Sequence, residues 1–477
     1  MSGILDAFKL DGKVALVTGS ERGLGRGMAV GIDRSQDVVN RSLGQLADGL
    51  TLDGYTFGMP TPVMSLPANA CQMVNGMQSN QQGMQSQLDE LLAEVQAFSI
   101  DDSSTTEIDD ALSLQGLGTG TVVLGIHIAA PGLAIQPGDA LDETSRARLS
   151  TVYMPGYKIT MLPQDVVDAY TLSEGRAVPA VSLYVTLDGA TLEVKASETK
   201  LERVPIAANL RHDQLDALVT EAWLSGADVS NENTAQRLPI QREQLSFLYR
   251  LALHLKAQRE RVRGKPETFN RPDYNFKLVD HDGAVPTGDE QVAITTRQRG
   301  APLDLIVAEA MILANSTWGE WLKSLSVPAI YRSQASLLPG IKVRMGAKAL
   351  PHAGIGVPSY AWSTSPLRRY VDLINQWQLI ACLNGDPPPF KPKSELLFAA
   401  LRDFDLTYSA YAEFQRHIER FWCLRWLRQE GVRTIDATVR RENLVKLDHL
   451  PLLQRVPSVP ELRPGQRIRL SVETVDY

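Results

Sequence analysis

Five acids fall close together near position 100: Asp101, Asp102, Glu107, Asp109 and Asp110, in the run SIDDSSTTEIDDALS. Carboxylates this close repel and raise one another's pKa, so a fold that gathers them needs a compensating cation. A hard divalent ion such as Mg2+ or Mn2+ selects carboxylate oxygens. Two ions bridged by such a cluster can activate a water and steady the leaving oxygen of a phosphodiester. A calcium loop of the EF-hand type does not fit, because it needs glycine at its sixth position and a bidentate acid at its twelfth. Counted from Asp101, those positions are Thr106 and Leu112. A solvated acidic loop is the bland alternative, and spacing alone does not separate it from a metal site.

Two further segments carry residues suited to a phosphate polymer. In YAWSTSPLRRYVDLIN, Tyr360 to Asn375, Ser365 is a good N-cap and Pro366 a good first helical residue, so a helix is expected to begin there. Arg368 and Arg369 would then sit in its first turn, where cations oppose the helix dipole but an anion is welcomed by free N–H groups and guanidinium together. A phosphate docked at this turn accounts for both arginines; an Arg368 to Asp372 pair accounts for one. In VYMPGYKITMLP, Tyr153 lies on a turn bounded by proline and glycine. A base stacked on such a ring gains about 1–3 kcal/mol, although burial in a core is the commoner fate of tyrosine.

The elements that must position these groups follow from the hydrophobic pattern. VVLGIHIA (Val122 to Ala129) and VSLYVTL (Val181 to Leu187) read as strands; SFLYRLALHLKAQRERV and LDLIVAEAMILANSTWGEWL read as helices. At 477 residues the chain exceeds one compact core. Its divisions are expected at 1–43 (strand, glycine turn, helix), 44–94 (a Gly, Met, Asn and Gln-rich linker ending in a short helix over Leu88 to Val95), 95–431 (a mixed domain) and 432–477 (a small β-rich barrel that stops on a strand). The net charge of −7 does not itself suggest a nucleic-acid partner, but KAQRERVRGK at Lys256 to Lys265 and the last sixty or so residues are locally basic. No apolar run reaches membrane-spanning length and no signal peptide is evident, so a cytoplasmic protein without membrane contact is expected. Cys71, Cys382 and Cys423 are far apart and odd in number, which argues against a disulfide framework or a zinc site and for small buried apolar roles.

Taken in order, these pieces resemble the ribonuclease II (RNB) family. SIDDSSTTEIDDALS is similar to its acidic signature, YMPGYKITMLP to its YLPG…MLP turn, and PHAGIGVPSYAWSTSPLRRYVDLIN to its late arginine segment, with EAMILAN (Glu309 to Asn315) and NRPDYNF (Asn270 to Phe276) as further family-like pieces. The resemblance implies an α+β fold: an RNB catalytic domain of mixed β-sheet and packed helices, followed by a truncated C-terminal OB-fold barrel. It implies a 3′ to 5′ hydrolytic exoribonuclease that degrades single-stranded RNA to nucleoside 5′-monophosphates with Mg2+ or Mn2+, and no stable protein partner. Asp101, Glu107, Asp109 and Asp110 match the metal-binding quartet, and Arg368 the arginine that steadies the scissile phosphate. Tyr153 matches the aromatic clamp on the terminal nucleotide. Tyr274, Arg369 and Glu419 fall at RNA-contacting positions.

The chain also departs from that pattern. Glu107 stands where the family has aspartate, a change that lengthens the side chain by one methylene and shifts or weakens a second metal. Ala130 replaces an aspartate, and Gln376 and Trp377 replace a His-Arg pair. Cold-shock-type barrels are not found ahead of the catalytic region, and the final barrel is short, so weaker substrate capture with steep salt sensitivity is expected. Two rival readings follow. A catalytically silent RNA-binding RNB scaffold would use the acids for structure alone. FKLDGKVALVTGSERGLGRG resembles the opening of short-chain NAD(P)-dependent dehydrogenases, but no ribose-binding acid follows at the expected distance and the chain has no YxxxK pair.

Overall fold

The computed structural model describes residues 50–52, 55–57, 92–228, 238–267, 272–297, 300–457 and 462–477. The dehydrogenase-like stretch 1–43, Cys71, most of the 44–94 segment and the start of NRPDYNF lie outside them. Within 44–94, β1 (Leu50–Leu52) and β2 (Tyr55–Phe57) pair antiparallel, with Leu50 opposite Phe57. The helix expected over Leu88 to Val95 is corrected in its described part. Leu92 bridges Arg203, and the Ala93 amide donates to the Arg203 carbonyl at 2.9 Å. Ala93, Val95 and Ala97 are buried alternately, the period of a strand, because a neighbouring strand supplies the backbone partners that a short helix would have had to supply itself.

Five strands close into a barrel in the order β3 (Ala97–Asp101), β4 (Asp110–Gln115), β5 (Thr121–Ala129), β8 and β9. Between them the chain inserts α1 (Ala140–Arg148), the hairpin β6 (Val152–Met154) and β7 (Tyr157–Ile159), and α2 (Gln164–Tyr170). It then returns as β8 (Ala177–Asp188) and β9 (Val194–Arg211). The mixed sheet expected from sequence is present, and closure leaves it without a free edge. β3 and β9 run parallel, so Asp101 ends beside Arg211, while β4 and β5 run antiparallel with Asp110 opposite Ile128.

The barrel strands are apolar on both faces because both are covered. One face carries Leu112, Leu124, Ile126 and Leu183 against α5 (Arg242–Arg263) and α6 (Pro302–Ser324). The other carries Ala111, Ala129 and Ala180 against α1, α2 and α7 (Tyr370–Asn384). The short helices α3 (His212–Leu215) and α4 (Glu221–Leu224) lead from β9 toward α5, and the hairpin β10 (Asp273–Leu278) and β11 (Val292–Arg297) lies between α5 and α6. Ends of helices follow local chemistry: Pro302 opens α6, and Gly264 and Gly385, at φ 77° and 73°, close α5 and α7 in the left-handed conformation that glycine tolerates.

After the short pair β12 (Tyr331–Ser333) and β13 (Arg344–Gly346), the long α8 (Glu395–Gln429) crosses to a four-stranded antiparallel sheet. Its strands are β14 (Thr434–Arg441), β15 (Leu444–Leu447), β16 (Leu453–Arg455) and β17 (Arg467–Ser471), in the order β16-β15-β14-β17. Ala437, Val439, Val445 and Leu447 pack on Cys423, Leu424 and Leu427 of α8. Cys423 is buried, as expected of a small apolar residue, whereas Cys382 is only half-buried.

Candidate active site

β3 ends on Asp101 and β4 starts on Asp110, so the connecting loop brings the acidic run back across the mouth of the barrel. Asp101 Oδ2 is buried without a hydrogen-bond partner. Burial raises the Asp101 carboxyl, against the opposing pull of Ser99, Arg211 and Arg368. Asp110 is pushed up to about 8, first by burial and then by the charges of Asp101 and Asp109. An orphaned carboxylate oxygen beside a second carboxylate that the fold has made hard to ionise is an oxygen donor set that suits Mg2+ or Mn2+.

Asp109 is buried and aimed at the arginine segment. Its Oδ1 accepts from the Leu367 amide and its Oδ2 from Arg368 Nε, each at 2.8 Å, joining residues 259 apart in the chain in the second case. Burial pushes Asp109 up to about 7, with Arg368 and the Leu367 amide pulling the other way. Burial alone would lower Arg368, but the Asp109 carboxylate, with Tyr153 and Asp110 adding to it, holds the guanidinium above its ordinary range.

The helix start expected at Ser365 and Pro366 is corrected. Residues 366–368 form a turn, Arg369 is extended and bridges Ser150, and α7 begins only at Tyr370. Pairing with Ser150 holds Arg369 out of helical geometry. The anion welcomed by the turn is Asp109 itself. The expected alternative pairing also moves by one residue, since Asp372 binds Arg369 through two hydrogen bonds of 2.8 and 2.7 Å and accepts from the Ser365 amide at 3.0 Å. Arg369 also lies 4.2 Å over the Trp362 ring, with Arg332 at 4.1 Å from the same ring. Its guanidinium therefore braces the loop that carries Arg368.

Glu107 is 3 % exposed. Its Oε1 accepts from Thr151 Oγ1 at 2.7 Å, and its Oε2 from Lys158 Nζ at 3.0 Å and Tyr153 Oη at 3.4 Å. Tyr153 and Lys158 face each other across the β6–β7 hairpin. Tyr153 remains 42 % exposed, so its ring projects as expected. Sequence reasoning missed Thr151 and Lys158. Lys158 stands inside the YMPGYKITMLP motif, but nothing local marks it as a partner of Glu107.

The structure thus distributes the four expected metal ligands. Asp101 and Asp110 form one charge-coupled pair, Asp109 serves Arg368, and Glu107 serves the Tyr153 hairpin. Among the described residues, one group of three His, Cys or acidic side chains brings its ligand atoms within 4.8 Å: Asp102, His212 and Asp213, where β3 and β9 end side by side. Asp213 already accepts from the Ser103 amide and hydroxyl, and Asp102 from those of Ser104.

Tyr274 and Glu419 lie on other elements. Tyr274 is on β10, with Lys446 Nζ 5.1 Å from its ring, and the β10–β11 and β6–β7 hairpins share an apolar cluster through Leu278, Val292, Val152 and Met154. Glu419 is on α8, raised by burial and opposed by Arg416. The departures at Ala130, Gln376 and Trp377 form one packed unit. Gln376 donates to the Ala129 carbonyl at 2.8 Å and accepts from the Gly132 amide at 2.9 Å, and Trp377 donates to the Ile135 carbonyl at 2.7 Å, stitching α7 to the end of β5.

Residues 89–339 and 341–385, more than half of the chain, match the family model described as the RNB domain. An uncharacterised ribonuclease of Synechocystis is 28% identical over 81% of this chain and 58% of its own length. Exoribonuclease 2 of Vibrio parahaemolyticus is 27% identical over 64% and 51% of the two chains. The chloroplastic/mitochondrial ribonuclease II of Arabidopsis thaliana is 25% identical over 73% and 44%. The chain spans about half the length of these curated relatives. Among solved structures, Dss1 exoribonuclease of Candida glabrata superposes with a TM-score of 0.66 at 24% identity, covering 80% of this chain and 55% of that one. RNase R of Mycoplasma genitalium bound to ribose-methylated single-stranded RNA gives 0.65 at 15%, covering 80% and 69%. Yeast Ssd1, described as a pseudonuclease, gives 0.54 at 19%, covering 74% and 48%. These likenesses are of fold. The extent of the domain match, together with the acidic run returned to the barrel mouth beside Arg368, leads to one conclusion: the chain belongs to the RNB-domain family.

Proposed function

We propose that this protein is a 3′ to 5′ exoribonuclease that hydrolyses single-stranded RNA to nucleoside 5′-monophosphates, with Mg2+ as the working ion and Mn2+ able to replace it. The observation that carries the reading is Arg368, which donates to Asp109 at 2.8 Å while its charge acts on both Asp101 and Asp110. A guanidinium meant to steady a phosphate stands beside the two carboxylates with the capacity to hold a cation. Exoribonucleases among the relatives, and RNA in the RNase R complexes, support the substrate class.

Asp101 and Asp110 would hold the ion. A divalent ion bound there lowers the pKa of a water and neutralises a leaving oxygen. The remaining steps belong to the chain. Asp109, pinned by the Leu367 amide, orients Arg368 so that the guanidinium's other nitrogens can meet the scissile phosphate. Tyr153, exposed on its hairpin, offers a face for the terminal base, and Tyr274 a second one on the neighbouring hairpin. We assign the activity to the cytoplasm, without a membrane or standing protein partner; among the described residues no helix is long and apolar enough to cross a membrane.

A 3′-labelled oligoribonucleotide incubated with the protein and Mg2+ should release labelled mononucleotide from the earliest times, and EDTA should abolish release. Asp109→Asn should lower the rate at least about a hundredfold while leaving RNA affinity within a factor of about two, because it disturbs the chemical step and not the capturing surfaces. Internal fragments as first products, or unchanged turnover in the variant, would overturn the assignment. The second reading, a silent RNA-binding scaffold, is favoured by the occupied state of Glu107 and by the fold shared with a pseudonuclease; RNA binding with no metal-dependent release would establish it instead.

A further inference from the structure

We infer that Lys158 is a built-in cation that withholds Glu107 from the metal set, so that the carboxylate centre takes one divalent ion, at Asp101 and Asp110, and not two. The inference rests on the metal-dependent reading above and concerns how many ions that centre accepts.

A carboxylate has roughly four lone-pair positions to offer. Three of those on Glu107 are in use: Thr151 Oγ1 on Oε1, and Lys158 Nζ and Tyr153 Oη on Oε2. The residue is buried, so its charge must be neutralised locally, and the ammonium 3.0 Å away does so. A divalent ion seeking the same oxygens would have to displace that ammonium or lie against it, and at a few ångströms two cations in a partly desolvated site repel strongly. Glu107 gains nothing from a metal that Lys158 does not already supply.

The clamp is held from several sides. Thr151 donates its hydroxyl proton to Glu107 while accepting from the Met161 amide at 3.0 Å, so its orientation is set. Its own amide donates to the Arg368 carbonyl at 3.0 Å, which ties the clamp to the loop carrying the phosphate-binding arginine. Lys158 also donates to Thr106 Oγ1 at 2.5 Å, next to Glu107 in the acidic loop. The lysine stands on β7, cross-strand from Tyr153 on a short hairpin. Asp101 contrasts with this, with a buried oxygen that no protein donor meets. Of the four acids, Glu107 and Asp109 have both oxygens occupied by the protein, and Asp101 has one that is open. The extra methylene of Glu107, relative to the family's aspartate, is the reach that lets its carboxylate meet Lys158 and Thr151 together. The glutamate and the lysine act as a unit, and the fixed ammonium brings beside the Tyr153 clamp the positive charge that a second ion would otherwise bring.

The test counts ions on the full chain without RNA, by titrating Mn2+ and following the free ion by electron paramagnetic resonance. One site per chain is expected in the wild type. Lys158→Ala, which opens Glu107, should take two, and adding Glu107→Gln to that variant should return the count to one. Two sites in the wild type overturn the inference, as does a single site in folded Lys158→Ala, because Lys158 would then not be what keeps a second ion out. No binding in the wild type sinks the metal reading itself, and this inference with it, and is distinguishable from both. A wild-type count of two overturns the inference even if Lys158→Ala fails to fold.

Discussion

Asp110 feels burial and two carboxylates acting in the same direction, which places its proton near pH 8 in the folded chain. The unfolded value is near 3.8, so the fold favours the protonated form. The stability this contributes is complete below the unfolded value and is lost as pH rises toward the folded one, by up to about 1.4 kcal/mol per unit. Asp109, raised to about 7, acts in the same sense. In EDTA the melting temperature should therefore fall as pH rises from about 5 to about 8, and Asp110→Asn should flatten much of that slope. A wild-type profile that is level over this window would show that Asp110 ionises freely, and would remove the reason for a cation at that position.

At the scale of elements, the barrel is a rigid mount for the acids, and its polar seam reports on that rigidity. His127 on β5 bonds Ser113 on β4 and Ser182 on β8, each at 2.8 Å, and burial pushes its pKa down to about 3. Gly125 makes room for this seam: a Cβ there would lie 2.3 Å from Ser113 Oγ and 2.6 Å from His127 Nε2. Both side chains are fully packed, so neither can yield cheaply. Gly125→Ala should cost about 1–3 kcal/mol in chemical denaturation, and it should lower turnover as well, since β4 begins with Asp110. A variant as stable and as active as the wild type would mean that the seam is slack. His127 gives the barrel an acid limb of the opposite sign to Asp110. Its folded pKa lies below the ordinary 6.5, so stability is lost as pH falls from there toward 3.

At the scale of the whole molecule, charge would govern the RNA capture proposed above. The net charge is −7, and arginines of the C-terminal sheet are paired on the surface: Arg467 with Asp448 at 2.8 Å and Arg469 with Asp436 at 2.9 Å. RNA binding should be weak and should fall steeply when salt is raised from about 50 to about 200 mM, with a log–log slope near 0.7 per phosphate contacted. Asp436→Asn, which releases Arg469, should tighten binding and steepen that slope in fluorescence anisotropy. An unchanged slope would mean that the sheet does not touch RNA. The same sheet packs on α8, and α8 reaches through Tyr411, Phe414 and Ile418 to Val152 and Met154 beside Tyr153. The C-terminal sheet and the Tyr153 hairpin are therefore held by one helix.

Residue chemistry and local periodicity are legible in the amino-acid sequence by itself. The acidic run, the strands through Val122 to Ala129 and Val181 to Leu187, the long helices and the order of the motifs need only spacing and residue type, because each is settled within a few residues of chain. What folding decides are partnerships across long separations. Leu88 to Val95 has helical spacing, yet Leu92 and Ala93 join the Arg203 backbone because strand pairing outweighs the weak preference of so short a helix. Arg368 and Arg369 are adjacent and alike in sequence, but extension of Arg369 against Ser150 turns one guanidinium to Asp109 and the other to Asp372 and Trp362. Glu107 reads as one more acid of the run, and only folding of the β6–β7 hairpin brings Lys158 to it. A sequence records which groups can ionise or donate; which donor reaches which carboxylate is fixed only when barrel closure and helix packing bring distant segments together.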